Sequence, residues 1–312
     1  MTSMGTQEVA SAGREKQRDC TPTKLVGWLD PRSDFNFEHY RLRHMVAELL
    51  RGFGDQFVLP GSEAPDFELT STKGERVRLS QMRGRPVLLH FVSYTCPVTR
   101  GGMRIMKELF GLYGDRVQFI EILVRQAHPG ERHGAYRSDE QKMADAQGYQ
   151  AEESIAWPVV VDDLDGSIQR AYGGTAASAY LIDSEGRVAF CGVWGQSPLL
   201  TEAVEDLLAR GGSGAPAGKG VDRLPHLGAA IVHGRRGPAS GGRRALIDLE
   251  LGFPGATLLM GLGSAARPIL GPLVLRTAPL PKRTRNLLIA TALGLTAALF
   301  AATRFGCKRC NR

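Results

Sequence analysis

A cysteine stands four residues past an apolar run and is followed at once by proline in VLLHFVSYTCPVTR, residues 87–100. The reactive form of cysteine is the thiolate, and a free thiol with a pKa of about 8.5 is mostly protonated at neutral pH. An apolar β-branched run before Cys96 and a helical pattern after it place the sulfur where a strand hands over to a helix. There the unpaired N–H groups and the helix dipole stabilise an anion. Pro97 fits the first helical position, which can do without its N–H and favours a fixed φ. The spacing therefore predicts a nucleophilic Cys96 with a lowered pKa, against the alternative of a buried free cysteine in a strand-to-helix turn. Ser93 and Thr95 are placed either to donate hydrogen bonds to that sulfur or to shape the turn. Thr99 stands where a C-x-x-C pair would carry its second cysteine, so Cys96 needs a one-cysteine cycle or a distant resolving thiol.

The other candidates are weaker. Cys191 lies in a predicted strand, as a core residue or a resolving thiol. Cys307 and Cys310 form a C-x-x-C in the last six residues, where a resolving role competes with lipidation or disorder. His128 follows a predicted strand and reads either as an acid or base titrating near neutrality or as a surface histidine before proline. Asp162, Asp163 and Asp165 lack the spaced ligand set of a calcium loop and read as turn and cap residues, and two cysteines make an incomplete zinc site, so no metal is expected. No phosphate-cradling glycine loop or nucleic-acid motif is present.

These residues must be held by a scaffold. Strand patterns at 77–80, 87–92, 117–124, 158–162, 179–183 and 188–193 alternate with helical patterns at 97–113, 138–148, 166–172 and 199–210, which argues for an α/β sheet covered on both faces. Ahead of it, 1–22 reads as a disordered tail and 23–56 as a helical extension, with a helix over 36–53 stopped by Gly54. The sheet domain spans 57–210. Residues 211–242 hold ten glycines and three prolines and read as a flexible linker. The segment 243–285 is apolar but broken by Pro254, Pro268 and Pro272, which leaves a small packed lobe or a membrane-surface segment.

Charge is uneven. Residues 212–312 carry 15 Lys/Arg against three acids, so that stretch is strongly basic although the whole chain is only +7. Within it, LLIATALGLTAALFAAT, 287–303, is uncharged and flanked by basic residues, and spans about 25 Å as a helix. We expect a single transmembrane anchor over 286–304, a short cysteine-containing tail over 305–312, and a basic region that favours a membrane over nucleic acid as its partner. A buried core helix is the alternative for 287–303. The N-terminus has no apolar signal-peptide core, and five cysteines are too few for a disulfide-stapled secreted fold, so the redox-capable domain is expected on the cytoplasmic side.

GSEAPDFELTSTKGERVRLSQMRGRPVLLHFVSYTCP, 61–97, resembles the opening of redoxins in the thioredoxin-like superfamily. FVSYTCP (91–97), QAHP (126–129), PVVVD (158–162) and AYGGTAASAYLI (171–182) are similar, in order and spacing, to motifs of the iodothyronine deiodinase family, with cysteine in place of selenocysteine. The resemblance covers about 57–210. It implies a thioredoxin-like three-layer sandwich with a central mixed sheet and a function in thiol-dependent reduction of a peroxide, a disulfide or a halogenated acceptor. No cofactor is then needed beyond an external thiol reductant such as a thioredoxin or glutathione system. Departures are Arg125-Gln126, where that family has acidic residues, and Ala176, where it has proline, which predicts a less constrained loop facing Cys96. A peroxiredoxin pattern would need proline at Leu89. A non-catalytic thioredoxin-like adaptor is the competing reading.

Overall fold

The computed structural model describes residues 35–54, 56–194, 198–214, 220–224, 226–277, 283 and 286. An N-terminal helix α1 (Leu42–Phe53) precedes a hairpin of β1 (Glu68–Ser71) and β2 (Arg76–Arg78). Then follow β3 (Val87–Val92), α2 (Pro97–Tyr113), β4 (Gln118–Leu123), α3 (Asp139–Glu152), β5 (Val159–Val161), α4 (Ser167–Tyr172), β6 (Ala179–Ile182), β7 (Val188–Gly192), α5 (Pro198–Ala209) and β8 (Val221–Asp222). The eight strands form one sheet in the order β2-β1-β5-β4-β3-β6-β7-β8. β3 runs parallel to β4, with Val87 opposite Gln118 and Val92 opposite Leu123, and antiparallel to β6. The sheet is mixed, as the resemblance implied.

All six residues of β3 are buried. Because side chains alternate along a strand, Leu88 and Val92 join a core with Met103, Met106 and Leu109 of α2 and Leu200 and Leu207 of α5. Val87, Leu89 and Phe91 join a second core with Tyr172 of α4 and Phe57 and Phe67. Helix-covered faces on both sides of a sheet make the layered α/β architecture of a thioredoxin-like fold. The predicted elements agree to within a few residues, except that α1 starts at Leu42 rather than at 36. There the N–H of Arg41 donates to Nδ1 of His44 at 3.0 Å, and the side chain three residues in caps the first turn.

Residues 220–242 depart from expectation. The stretch read as a linker ends in β8, which pairs parallel with β7, and in two short helices, α6 (Gly228–His233) and α7 (Arg236–Gly241). Its glycines are contact points rather than hinges. A Cβ on Gly101 would stand 2.5 Å from the carbonyl oxygen of Ala229, one on Gly234 2.3 Å from that of Pro97, and one on Gly237 2.7 Å from that of Cys96. Backbone thus lies on backbone, which only glycine allows. The buried Arg100 of α2 fastens this contact. It pairs with Glu152 and, at 2.9 Å, with Glu153, and Arg236 of α7 reaches both Glu153 (3.0 Å) and the carbonyl of Arg100 (3.2 Å).

Helices α8 (Arg243–Gly252), α9 (Ala256–Ala265) and α10 (Arg267–Val274) follow. Phe37, Tyr40, Leu249, Ala256 and Met260 pack them against the N-terminal segment, and His39 meets Asp248 at 2.8 Å. Residues 243–277 therefore form a packed lobe. Among the described residues no single helix is long and apolar enough to cross a membrane, while α8 and α9 together pass on composition but meet at 111°. The break falls at Pro254 and Gly255, whose φ of +88° suits glycine. The expected anchor over 286–304, together with Cys307 and Cys310, lies outside the described residues but for position 286.

Candidate active site

Cys96 is the N-cap of α2 and Pro97 follows it into the first turn, with the Arg100 N–H donating to the Cys96 carbonyl at 3.0 Å. The N–H groups of Val98 and Thr99 and the Thr99 hydroxyl are the donors within reach of the sulfur. The expected helix start is in place. The expected lowering of the pKa is not. Cys96 is 6 % exposed, and loss of water, the largest influence, pushes the thiol above its ordinary value despite those donors, with Glu48 adding to the rise. The reason is the cap: Gly237 rests on the Cys96 carbonyl, and Ala230 of α6 shares a core with Cys96 and Val98.

Ser93 and Thr95 shape the turn. The Thr95 hydroxyl donates to Oε1 of Gln126 at 3.0 Å and accepts from the His128 N–H at 3.0 Å. A hydroxyl has one proton, so none is left for the sulfur. The Ser93 hydroxyl accepts from the Ala127 N–H at 2.9 Å and lies 3.4 Å from the same Gln126 oxygen. Gln126 in turn donates to the Tyr136 hydroxyl at 2.7 Å and to Asp145 at 2.9 Å. Its place after β4 is a knot that holds the loop 126–128 to the cysteine loop, in a position where a carboxylate would meet Asp145.

Thr99 donates to the carbonyl of Ala176 at 3.1 Å. That loop is not slack for want of proline: Thr175 Oγ1 donates to the Val193 carbonyl at 2.8 Å, and the Thr175 N–H to Ser178 Oγ at 2.7 Å. His128 is brought to the same cavity as Cys96 but is neither a surface residue nor a neutral-pH base. Burial first, then the positive charge of Arg125 and the nearby His44, lower its pKa to about 3, and its Nδ1 is buried without a hydrogen-bond partner. Cys191 is fully buried in β7 beside Tyr180, and burial raises its thiol to about 12. Asp162 and Asp163 cap α4, accepting the N–H groups of Ile168 and Gln169 and of Ser167 respectively.

Cys96 forms part of the wall of a cavity of about 260 Å³ that also touches Tyr40, Glu48, His128, Ala176 and Leu259. Sequence reasoning missed Tyr40, Glu48 and the whole roof. Glu48 projects from α1 and pairs with Arg125 at 2.5 Å. A carboxylate therefore does stand at this wall, supplied by a distant helix instead of by the residues before Ala127.

Residues 60–191 match the model of the AhpC/TSA family. The chain is 33 % identical to the thiol-disulfide oxidoreductase ResA of Geobacillus kaustophilus over 131 residues, 42 % of this chain and 67 % of that protein. This chain belongs to the AhpC/TSA family of thioredoxin-like redoxins. It is a thiol-based oxidoreductase. The redoxin is also 28 % identical to the thioredoxin-like protein YneN of Bacillus subtilis over 130 residues, 41 % of this chain and 68 % of that one. Among solved structures, the thioredoxin domain of a thiol-disulfide oxidoreductase from Bacteroides vulgatus is similar over 49 % of this chain and 98 % of that one, at 18 % identity and a TM-score of 0.38. The family stretch contains Cys96 and ends at Cys191, so α1 and the cap that complete the redoxin's cavity lie outside it. The likeness to deiodinases rests on the quoted motifs alone.

Proposed function

We propose that Cys96 is the nucleophile of a one-cysteine redoxin that reduces a small-molecule acceptor admitted to the cavity, with an external thiol as reductant. The observation that carries the proposal is a cysteine at a helix start, with the Val98 and Thr99 N–H groups within reach of its sulfur, forming part of the wall of an apolar cavity. Cavities of this size take small ligands, since drug-sized ones need about 300 Å³ or more. A cysteine 6 % exposed under a packed cap is poorly placed to meet a disulfide on a folded protein. Relatives named as thiol-disulfide oxidoreductases support a small disulfide as the acceptor; peroxides and halogenated phenols are the other electrophiles the motifs suggest.

For a disulfide the step balances as follows. The Cys96 thiol loses its proton, its sulfur attacks one sulfur of R–S–S–R′, the S–S bond breaks, and R′S⁻ leaves and takes up the proton. The mixed disulfide on Cys96 is then attacked by the thiolate of a small external thiol such as glutathione, which restores Cys96 and carries R away as a second disulfide. Thr99 cannot resolve the mixed disulfide as a second cysteine would. The Thr99 hydroxyl instead exchanges the Ala176 carbonyl for the sulfur when the sulfur becomes an anion.

Turnover of small disulfides, hydroperoxides and halogenated phenols, each with a thiol reductant, is compared between the wild-type protein and Cys96→Ser. We expect turnover of at least one class to vanish in Cys96→Ser, and intact mass to show an adduct on Cys96 when the reductant is withheld. Equal turnover in both proteins would remove Cys96 from the chemistry.

A further inference from the structure

Half of the large apolar side chains that the described residues expose stand on one short stretch. Of fourteen, seven lie between Ile247 and Ile269. Leu251 is 71 % exposed, Leu258 66 %, Leu262 61 % and Ile269 76 %. Ile247 and Leu251 are four residues apart on α8, and Leu258 and Leu262 four apart on α9, so each pair forms a ridge on one face of its helix. A run of this kind is more than the scatter of single apolar residues that any surface carries.

The charge around it is mainly of one sign. Residues 243–285 contain seven Lys/Arg and two acids; Asp248 is buried against His39, and Glu250, at the surface, is held by the N–H groups of Gly255 and Thr257. Arg243 and Arg267 are exposed, and Arg243 stands one turn before Ile247 on the same face of α8. Short helices that meet at 111°, with apolar ridges and a basic margin, are suited to lie in an interface rather than to span it. Leu227, Phe253 and Leu259 are exposed and also line the Cys96 cavity, so the face and the mouth of the cavity are continuous.

We propose that helices α8 to α10 form a lipid-docking face that seats the redoxin on an anionic bilayer, with the mouth of the Cys96 cavity turned towards the lipid. Apolar insertion and attraction to anionic headgroups supply the two signals that stable peripheral binding needs. An acceptor dissolved in the lipid then reaches Cys96 without crossing water. This last consequence rests on the redox reading of Cys96; the docking itself does not.

The test is co-sedimentation of the full chain with vesicles of phosphatidylcholine alone or mixed with phosphatidylglycerol, for wild type, Leu258→Glu/Leu262→Glu and the control Leu112→Glu. Leu258 and Leu262 are exposed and are not part of the cavity wall, so the double variant leaves the fold and the chemistry in place. Wild type and Leu112→Glu should partition alike, preferring the anionic vesicles and losing that preference in high salt, while the double variant falls by about tenfold or more. Amide exchange in α9 and α10 should slow on adding anionic vesicles. Equal partition of the double variant would overturn the proposal and leave residues 287–303 as the sole membrane contact. A wild-type dimer without lipid that becomes a monomer in the double variant would also overturn it, in favour of a second copy of this chain on the face. Turnover with a water-soluble acceptor reports on Cys96 separately, so the two readings fail independently.

Discussion

Strand Val87–Val92 and helix Ala256–Ala265 are both mainly apolar, yet the first is buried at all six positions and the second shows Leu258, Leu259 and Leu262 to solvent. The difference lies in what covers them. β3 has a hydrogen-bonded neighbour on each edge and helices on each face. The cap helices have one supporting face: α6 and α7 reach it largely through glycine and alanine, and α8 and α9 rest on Phe37 and Tyr40 through Leu249 and Met260. In the sheet domain, burial comes from interlocking Leu, Ile, Val and Phe. Between α2 and the α6–α7 stretch it comes from backbones brought close at Gly101, Gly234 and Gly237. The sheet is therefore self-sufficient in apolar packing, while the cap depends on a surface of the sheet domain and decides how dry Cys96 is.

The largest effect that separates the two regions should be acid sensitivity. His128 lies under the cap: its carbonyl would meet a Cβ on Gly241 at 3.0 Å, and its ring is 4.3 Å from that of Tyr40. Its pKa is lowered from 6.5 to about 3, so between those values the unfolded chain holds more protons than the folded one, and stability is lost as pH falls through that window. The loss is on the order of 4 kcal/mol by pH 3. The expectation is that denaturant unfolding of the wild type shows this slope and that His128→Gln flattens it. Equal slopes would show that other groups carry the acid sensitivity.

A smaller perturbation can be confined to the contact itself. Valine at 101 is no worse than glycine for the helix, so Gly101→Val spares α2 and obstructs only α6. Overpacking of this kind costs about 1–3 kcal/mol. Hydrogen exchange should speed up across 228–241 while 87–92 keeps its protection, and alkylation of Cys96 should accelerate about tenfold. If both regions lose protection together, cap and sheet are one cooperative unit and the comparison fails.

The same contrast explains what the sequence disclosed. The bounds of β3, the start of α2 at Pro97 and the helices near 138, 167 and 199 were legible because apolar runs, helical periodicity and capping chemistry are local signals. The N-cap position of Cys96 followed from Pro97. The direction of its pKa did not, because dryness there depends on residues 228–241, and ten glycines between 211 and 242 read as freedom unless the surface they meet is known. Glu48 was invisible for a related reason. Nothing local marks a residue of an N-terminal helix as the partner of Arg125, 77 positions away. For Ser93 and Thr95 the choice between sulfur and turn turned on Gln126, whose side-chain oxygen lies within reach of both hydroxyls and accepts from Thr95.

The smallest predicted effect distinguishes the two buried cysteines. Cys191 has the Tyr180 hydroxyl beside it and a pKa raised to about 12, and it contributes no atoms to the cavity wall. Cys96 is equally deprived of water but has Val98 and Thr99 N–H groups and one hydroxyl to offset the loss. Thr99→Val keeps the N–H and removes only the hydroxyl, at about 1 kcal/mol for one hydrogen bond. The thiolate population, and with it the alkylation rate of Cys96 at pH 8, should fall about fivefold. The rate at Cys191 should stay where it is, too slow to follow in the folded protein. An unchanged Cys96 rate would mean that the Thr99 hydroxyl stays on the Ala176 carbonyl in both protonation states, leaving the two amides as the whole of what separates this cysteine from an inert one.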